Sequence, residues 1–264
     1  MIVDDNKPSE SSQDYAGIAR GVRRKVLGMI HKAQTAHTAS NFSVTDLAVV
    51  LYENLKPEDR VVWSKGWAAA TTYVLLARRG QIPESDLDIF PQKPYINLVE
   101  IGVNGVETTG GSMGHGLPVA LGIALGQKRA GTSGMVYCIM SDGELNEGTT
   151  WESMLVAAHH ELDNLVVLID RNKWQAMGKT EEVLKLEPLE DKWRAFNWDV
   201  YRVNGHTHSE IETALVAPMK GKPKVIICDT VKGKGVSFME NSLVFHYKVI
   251  DDETYEKAMT ELAD

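Results

Sequence analysis

MVYCIMSDGELNEGTTWESMLVAAHHELDNLVVLIDRNKW, residues 135–174, is the stretch that decides the fold. It opens on MVYCIM (135–140), an apolar run of strand length, and breaks at SDGE (141–144). NEGTTWESMLVAAHHELD (146–163) then reads as a helix, and LVVLID (165–170) is a second apolar run. Runs this short and this apolar are strands buried on both faces, as in a parallel sheet covered by helices. Strand, tight turn, helix, strand gives a right-handed parallel unit. In open sheets of this kind the ligand crevice lies beyond the carboxyl ends of the strands, which puts Ser112–Gly116, Ser141–Glu144 and Asp170–Trp174 on one rim.

The pattern extends in both directions. Downstream, KWRAFNW reads as helix, DVYRV as strand, SEIETALVAPM as helix, PKVIICDTV as strand, and a last helix starts near Asp252. Upstream, Val22, Val26, Met29 and Ile30 recur at helical spacing between Ile18 and Thr35, and a second helix is predicted from Thr45, its N-cap, to Glu53. DRVVWSKG (59–66) reads as a strand entering a loop, and WAAATTYVLLARRG (67–80) as a buried helix closed by Gly80. The glycine-rich loop in GVETTGGSMGHGLPVALGIALGQKRAG (105–131) runs directly into an apolar helix, an arrangement suited to phosphate. With neither repeat nor linker, the expectation is one doubly wound α/β domain, a mostly parallel sheet flanked by helices, over 16–264, preceded by a flexible polar arm at 1–15.

Composition narrows the function. Of 264 residues, 43% are hydrophobic and 24% charged, as in globular proteins, and no apolar run approaches the roughly 20 residues that cross a bilayer. The opening residues lack a basic-then-apolar secretory pattern, so the cytoplasm is the expected location. A net charge of -8 offers no basic footprint for nucleic acid. Cys138 and Cys228 each sit inside an apolar strand, which makes them packing residues rather than a disulfide or metal pair.

The rim residues suit a diphosphate held through a divalent cation. Mg²⁺ takes oxygen ligands and commonly only one or two carboxylates. Asp142 supplies an anionic oxygen, Asn172 a neutral one, and a backbone carbonyl just beyond it a third. Gly114 and Gly116 let N–H groups approach phosphate closely, and Gly143 allows a turn that a Cβ would obstruct. Each feature alone has a plainer reading, Asp142 as a helix cap above all.

SDGELNEGTTWESMLVAAHHELDNLVVLIDRNKW resembles the thiamine diphosphate motif, which runs from Gly-Asp-Gly to an Asn about thirty residues on. DRVVWSKG, VETTGGSMGHGL, DTVKGKGVSFMEN and His37 nine residues before Asp46 resemble the transketolases in particular, so the likeness covers nearly the whole chain from residue 18. It ends where a transketolase continues into its pyrimidine-binding domain. The resemblance therefore implies the N-terminal subunit of a split, thiamine-diphosphate-dependent enzyme, active only with a separate C-terminal partner in an α₂β₂ assembly. It implies Asp142, Asn172 and the carbonyl of Trp174 as ligands of Mg²⁺ or Ca²⁺. Met113, Gly114, Trp67, Asp142, Gly143, Glu144, Asn172 and His246 would line the cofactor. Glu147 would face the partner and share a proton there, and His37 and His246 would line the substrate channel, stabilising oxyanions or relaying protons. The reaction implied moves a two-carbon ketol unit from a ketose to an aldehyde.

The sequence departs from the family in three places. Ser141 replaces the leading Gly of Gly-Asp-Gly and is small enough to keep the turn. Trp67 stands where transketolases carry the histidine of SKGH, and a second family histidine has no counterpart in YINLVEIGVNG. These two losses point to a non-standard sugar. His159 and His160 read as structural, since adjacent helix positions point about 100° apart. Trp151, Trp193 and Trp198 read as packing, His206 and His208 as exposed in a polar turn, and His115 is open between a site and a surface role. Lys232 and Lys234 belong by composition to a solvated loop, which the family likeness would close over the site. Two other functions stay open: the α chain of a 2-oxoacid dehydrogenase, and a non-catalytic regulatory subunit.

Overall fold

The computed structural model describes residues 13–263. Five strands form one sheet in the order β1-β2-β3-β5-β4, every neighbouring pair parallel: β1 is Arg60–Trp63, β2 Val136–Ser141, β3 Leu165–Arg171, β4 Asp199–Asn204 and β5 Lys224–Asp229. All carboxyl ends therefore lie along one edge. Nine α-helices occur among the described residues: α1 Tyr15–Ala33, α2 Thr38–Asn54, α3 Ala69–Arg78, α4 Gly116–Ala130, α5 Gly148–His159, α6 Thr180–Val183, α7 Leu189–Ala195, α8 His208–Val216 and α9 Asp252–Glu261.

The period-2 alternation of the strands sorts the core into two layers. Val166 and Leu168 of β3 and Ile226 and Cys228 of β5 face the layer that holds α1, α2, α3, α8 and α9. Val167, Ile169, Val225, Ile227 and Cys138 face α4, α5 and α7. The two cysteines are thus free, buried and on opposite faces of the sheet. Lys224 is buried at the foot of β5, where its ammonium donates to the carbonyls of Ala214 (2.9 Å), Leu215 (3.1 Å) and Ala217 (2.6 Å) and so closes the carboxyl end of α8.

Several boundaries differ from the sequence reading. α2 begins at Thr38, not Thr45, and Thr45 sits inside it, donating its hydroxyl to the Asn41 carbonyl at 2.8 Å. The segment 38–45 shows no apolar stripe because it is buried on all sides, and the Asn41, Ser43 and Thr45 side chains find hydrogen-bond partners within the protein. α3 is shorter than 67–80, since Gly66–Ala68 forms a 3-10 turn first; Gly80, at φ +69°, donates to the Ala77 carbonyl at 2.8 Å just past the helix end. α5 ends at His159 rather than Asp163, and α7 precedes KWRAFNW by three residues. Of the expected arm, residues 1–12 lie outside those described, and Tyr15 already belongs to α1, capped by the Asp14 carboxylate on the Gly17 N–H at 2.9 Å. No helix among the described residues is long and apolar enough to cross a membrane.

Candidate active site

Asp142 follows β2 and is 1% exposed. Its Oδ1 accepts the Gly143 N–H at 3.0 Å, and its Oδ2 accepts the Lys173 N–H at 2.9 Å and the Thr180 hydroxyl at 3.0 Å. Burial, and then the Asp170 carboxylate, push its carboxyl up to about 6. Asn172 lies one position past β3. Its Nδ2 donates to Ser43 Oγ at 3.2 Å and its Oδ1 accepts the Trp174 N–H at 3.0 Å. Lys173, at φ +69°, reverses the chain, and Trp174 pairs with Lys179 in an antiparallel bridge, so the main chain at 174 returns to the same corner. The Asp142 carboxylate and the Asn172 amide are hard oxygen donors, of a kind that could hold Mg²⁺ or Ca²⁺ rather than a soft metal. The His159 and His160 rings meet edge-on, 4.9 Å apart, at the end of α5.

The glycine loop lies against this corner. Gly114 adopts φ +78°, and a Cβ there would stand 2.5 Å from Thr149 Oγ1 and 2.6 Å from Glu147 Cβ. Thr149 donates to the Gly114 carbonyl at 2.9 Å, and the Gly116 N–H, first in α4, donates to Ser64 Oγ at 3.2 Å. SKG and TTGG pack main chain on main chain: a Cβ on Gly66 would meet Gly111 N at 2.5 Å, while Val99 donates to Gly66 (3.1 Å) and receives the Gly110 N–H (2.9 Å). Gly143 has no left-handed φ; a Cβ there would only press on Gln175 Cγ at 3.1 Å. Glu147 caps the start of α5, half-buried, with no hydrogen bond to its carboxylate from the described residues. Glu144 is buried with its carboxylate turned inward, accepting from the Ser64 hydroxyl and from the Ser141 N–H at 3.2 Å; burial pushes it up to about 7. Met113 is 50% exposed, and His115 is exposed.

Across the rim stands an aromatic wall. His37, at φ +73°, stacks on Trp67 with ring centroids 4.5 Å apart and 14° between planes. His246 meets His37 edge-on at 4.9 Å, and Tyr247 lies 4.6 Å from His246. The His37 N–H donates to the His246 carbonyl at 3.1 Å, which ties α2 to the loop before α9. Burial, then the Lys232 charge, push His37 down to about 4 and His246 down to about 3. Lys232 is fully buried with its ammonium 2.8 Å from His246 Nδ1, not solvated as composition suggested; Lys234 remains near the surface, 3.3 Å from Glu240.

Beneath the rim, Lys65 pairs with the buried Asp170 and donates to the Ser40 carbonyl at 2.8 Å, and Ser43 donates to Asp170 at 2.6 Å. Deeper still, Asp46 binds Arg23 (2.5 Å), His206 Nδ1 (2.6 Å) and His208 Nε2 (2.9 Å). His206 and His208 are therefore not exposed turn residues; their side chains are 13% and 20% exposed because a buried carboxylate needs the hydrogen bonds they supply. Trp193 and Trp198 pack in the core with rings 4.8 Å apart, and Trp151 sits half-buried against Phe196.

Residues 16–262 match the family described as the transketolase thiamine diphosphate binding domain. The chain belongs to the transketolase family. It is 36% identical over 261 residues to an apulose-4-phosphate transketolase subunit from Actinobacillus succinogenes, covering 93% of this chain and 95% of that protein. It is 35% identical over 269 residues to the 6-deoxy-6-sulfo-D-fructose transketolase subunit SqwG of a Clostridium species, covering 96% and 98%. The crystal structure of Campylobacter jejuni transketolase superposes with a TM-score of 0.89 at 29% identity, across 96% of this chain but 43% of that one. This transketolase-family chain thus matches separate subunits nearly end to end and spans less than half of the solved Campylobacter chain.

The fold of this chain gathers Asp142, Asn172, Trp174, Gly114, Gly143 and Glu147 near the carboxyl ends of β2 and β3, and His37, His246 and Trp67 in the adjoining wall. Sequence reasoning missed Ser43, Thr180 and Tyr247. Ser43 left a trace as one of the polar residues in an otherwise buried helix; Thr180 left none.

Proposed function

We propose that this chain is the diphosphate- and metal-binding subunit of a thiamine-diphosphate-dependent enzyme that transfers a two-carbon ketol unit from a ketose to an aldehyde, working with a separate C-terminal subunit. The observation that carries the reading is the buried corner where Asp142, at the end of β2, and Asn172, at the end of β3, meet beside Gly114. In it, Asp142, Asn172 and the Trp174 carbonyl hold Mg²⁺ or Ca²⁺, and the N–H groups of Gly114 and Gly143 approach the diphosphate. Bound thiamine diphosphate supplies the nucleophilic carbon and electron sink that carbon–carbon cleavage needs.

The protein's part is orientation, exclusion of water and charge. Asp142 carries a charge that burial alone disfavours, and a divalent cation relieves that cost. His37 and His246 stay neutral at physiological pH and present hydrogen bonds to the substrate side of the rim. Glu147, partly open in this chain, faces the partner. The assembly is an α₂β₂ heterotetramer in the cytoplasm, and the cofactor-binding domain occupies 16–264.

Relatives named for apulose 4-phosphate and 6-deoxy-6-sulfo-fructose support a non-standard sugar, and so does the Trp67 indole where the family's histidine would stand. The test is an assay of the chain with and without its C-terminal partner on a panel of ketose donors and aldehyde acceptors. Ketol transfer that needs both chains is expected. Decarboxylation of pyruvate without ketol transfer would move the assignment to the 2-oxoacid dehydrogenases.

A further inference from the structure

Resting on that functional reading, we propose that Lys232 is a positioning residue that holds His246 as the Nε2–H tautomer, which makes His246 a hydrogen-bond donor to the substrate and not a base.

The loop after β5 is built to place this lysine. The Val231 N–H donates to His206 Nε2 at 2.8 Å, the Asn241 N–H donates to the Lys232 carbonyl at 2.8 Å, and the Gly233 N–H donates to the Ala39 carbonyl at 3.0 Å. Gly233 sits at φ +80°, where a Cβ would stand 2.3 Å from the Met239 carbonyl oxygen. His206 is itself fixed, since its Nδ1 lies 2.6 Å from the buried Asp46 carboxylate. With Nε2 accepting, its proton is on Nδ1. Lys232 is thus pinned on both sides through a chain of bonds that starts at Asp46.

Its side chain is fully buried, and its single hydrogen-bond partner among the described residues is His246 Nδ1, at 2.8 Å. Burial, then the Lys65 charge, push the lysine down to about 8, which still leaves an ammonium at neutral pH. An ammonium has donors and no acceptor, so Nδ1 must offer its lone pair and the imidazole proton must reside on Nε2. The groups facing His246 are Lys232, His37 at 4.9 Å, Tyr247 at 4.6 Å and, through its charge, Lys65. None is an anion that would hold a second proton on the ring. With Nδ1 engaged, the remaining polar atom is Nε2–H, which can donate to an oxygen gaining negative charge but cannot take a proton from carbon. His37 differs: its Nδ1 is buried without a partner among the described residues, so no such bond selects its tautomer.

Long-range ¹H–¹⁵N spectra of the ¹⁵N-histidine-labelled full chain, with His246 assigned through His246→Gln, read the tautomer directly. Between pH 6 and 7 the expected spectrum has His246 protonated on Nε2 alone, with Nδ1 shifted as a hydrogen-bond acceptor. Lys232→Arg should keep that pattern, and Lys232→Met should yield a tautomer mixture that takes up a second proton at higher pH than in the wild type. A wild-type His246 protonated on Nδ1, or an unchanged pattern in folded Lys232→Met, overturns the proposal. Should Lys232→Met fail to fold, the wild-type spectrum alone decides. The measurement needs neither cofactor nor partner, so its failure is distinct from a failure of the ketol-transfer assay.

Discussion

The Trp67 indole lies flat on the His37 imidazole, 4.5 Å between centroids, and the residue is 42% exposed. The position thus sets a large, partly exposed aromatic ring beside His37 and His246. Trp67→His should restore a hydrogen-bonding ring and change relative kcat/KM across a ketose and aldehyde panel by about tenfold, the size that pocket contacts of roughly 1–3 kcal/mol support. Unchanged ratios in the reconstituted enzyme would remove Trp67 from substrate selection.

Gly114 offers a sharper steric test. Its φ of +78° and the 2.5 Å approach of a Cβ to Thr149 Oγ1 leave no room for alanine without moving the loop. Gly114→Ala should fold, because the loop is at the surface edge of the domain, yet bind thiamine diphosphate about tenfold more weakly by calorimetry, the loss of roughly one charge-assisted hydrogen bond. Wild-type affinity in the variant would show that this loop does not touch the diphosphate.

The buried histidines predict a pH dependence of stability. Burial and the Lys232 charge hold His37 down to about 4 and His246 to about 3 in the fold, while both titrate near 6.5 when unfolded. Below that value the unfolded chain binds protons the folded chain refuses. Their contribution is therefore complete above pH 6.5 and is lost as pH falls toward 4, by at most about 1.4 kcal/mol per pH unit for each, less where solvent screens the ring. Urea unfolding at pH 7 and pH 5 should show a smaller loss in the His37→Gln/His246→Gln double variant; an equal loss would contradict the assignment.

Asp46 also loses its contribution on acidification, but at lower pH. Burial alone would raise its carboxyl, but the Arg23 charge and the bonds from His206 and His208 outweigh it and hold the group well below the usual carboxylate range. Its contribution is present above about pH 4 and is lost only as pH falls through the depressed value. Asp46→Asn at pH 7 leaves Arg23 buried without a counter-charge and should cost about 3–5 kcal/mol. A change under about 1 kcal/mol in urea unfolding would mean that the cluster is not stabilising.

How much of this could be read from the sequence depended on where each residue's partners lie. The strands at 136–141 and 165–171 announced themselves because their burial is continuous, and Asp142 and Asn172 follow from strand ends spaced along one motif. The start of α2 was hidden, since Ser40, Asn41 and Ser43 are buried polar residues whose partners, Asp170, Lys65 and Thr71 among them, come from other elements. His206 and His208 read as surface residues for the same reason: Asp46, which draws them in, is 160 and 162 positions away in the chain. Burial of Lys232 was equally invisible, because glycines at 233 and 235 make the segment look like an open loop when they instead let it pack closely.

The central claim is that this chain supplies the metal and diphosphate half of a cofactor site completed by a second polypeptide. Calorimetric titration of thiamine diphosphate with Mg²⁺ into the chain, with and without its C-terminal partner, tests it directly, with Asp142→Ala as the control. Metal-dependent binding that needs both chains and vanishes in Asp142→Ala is the predicted result. Absence of binding in every condition, or undiminished binding in Asp142→Ala, would contradict the account.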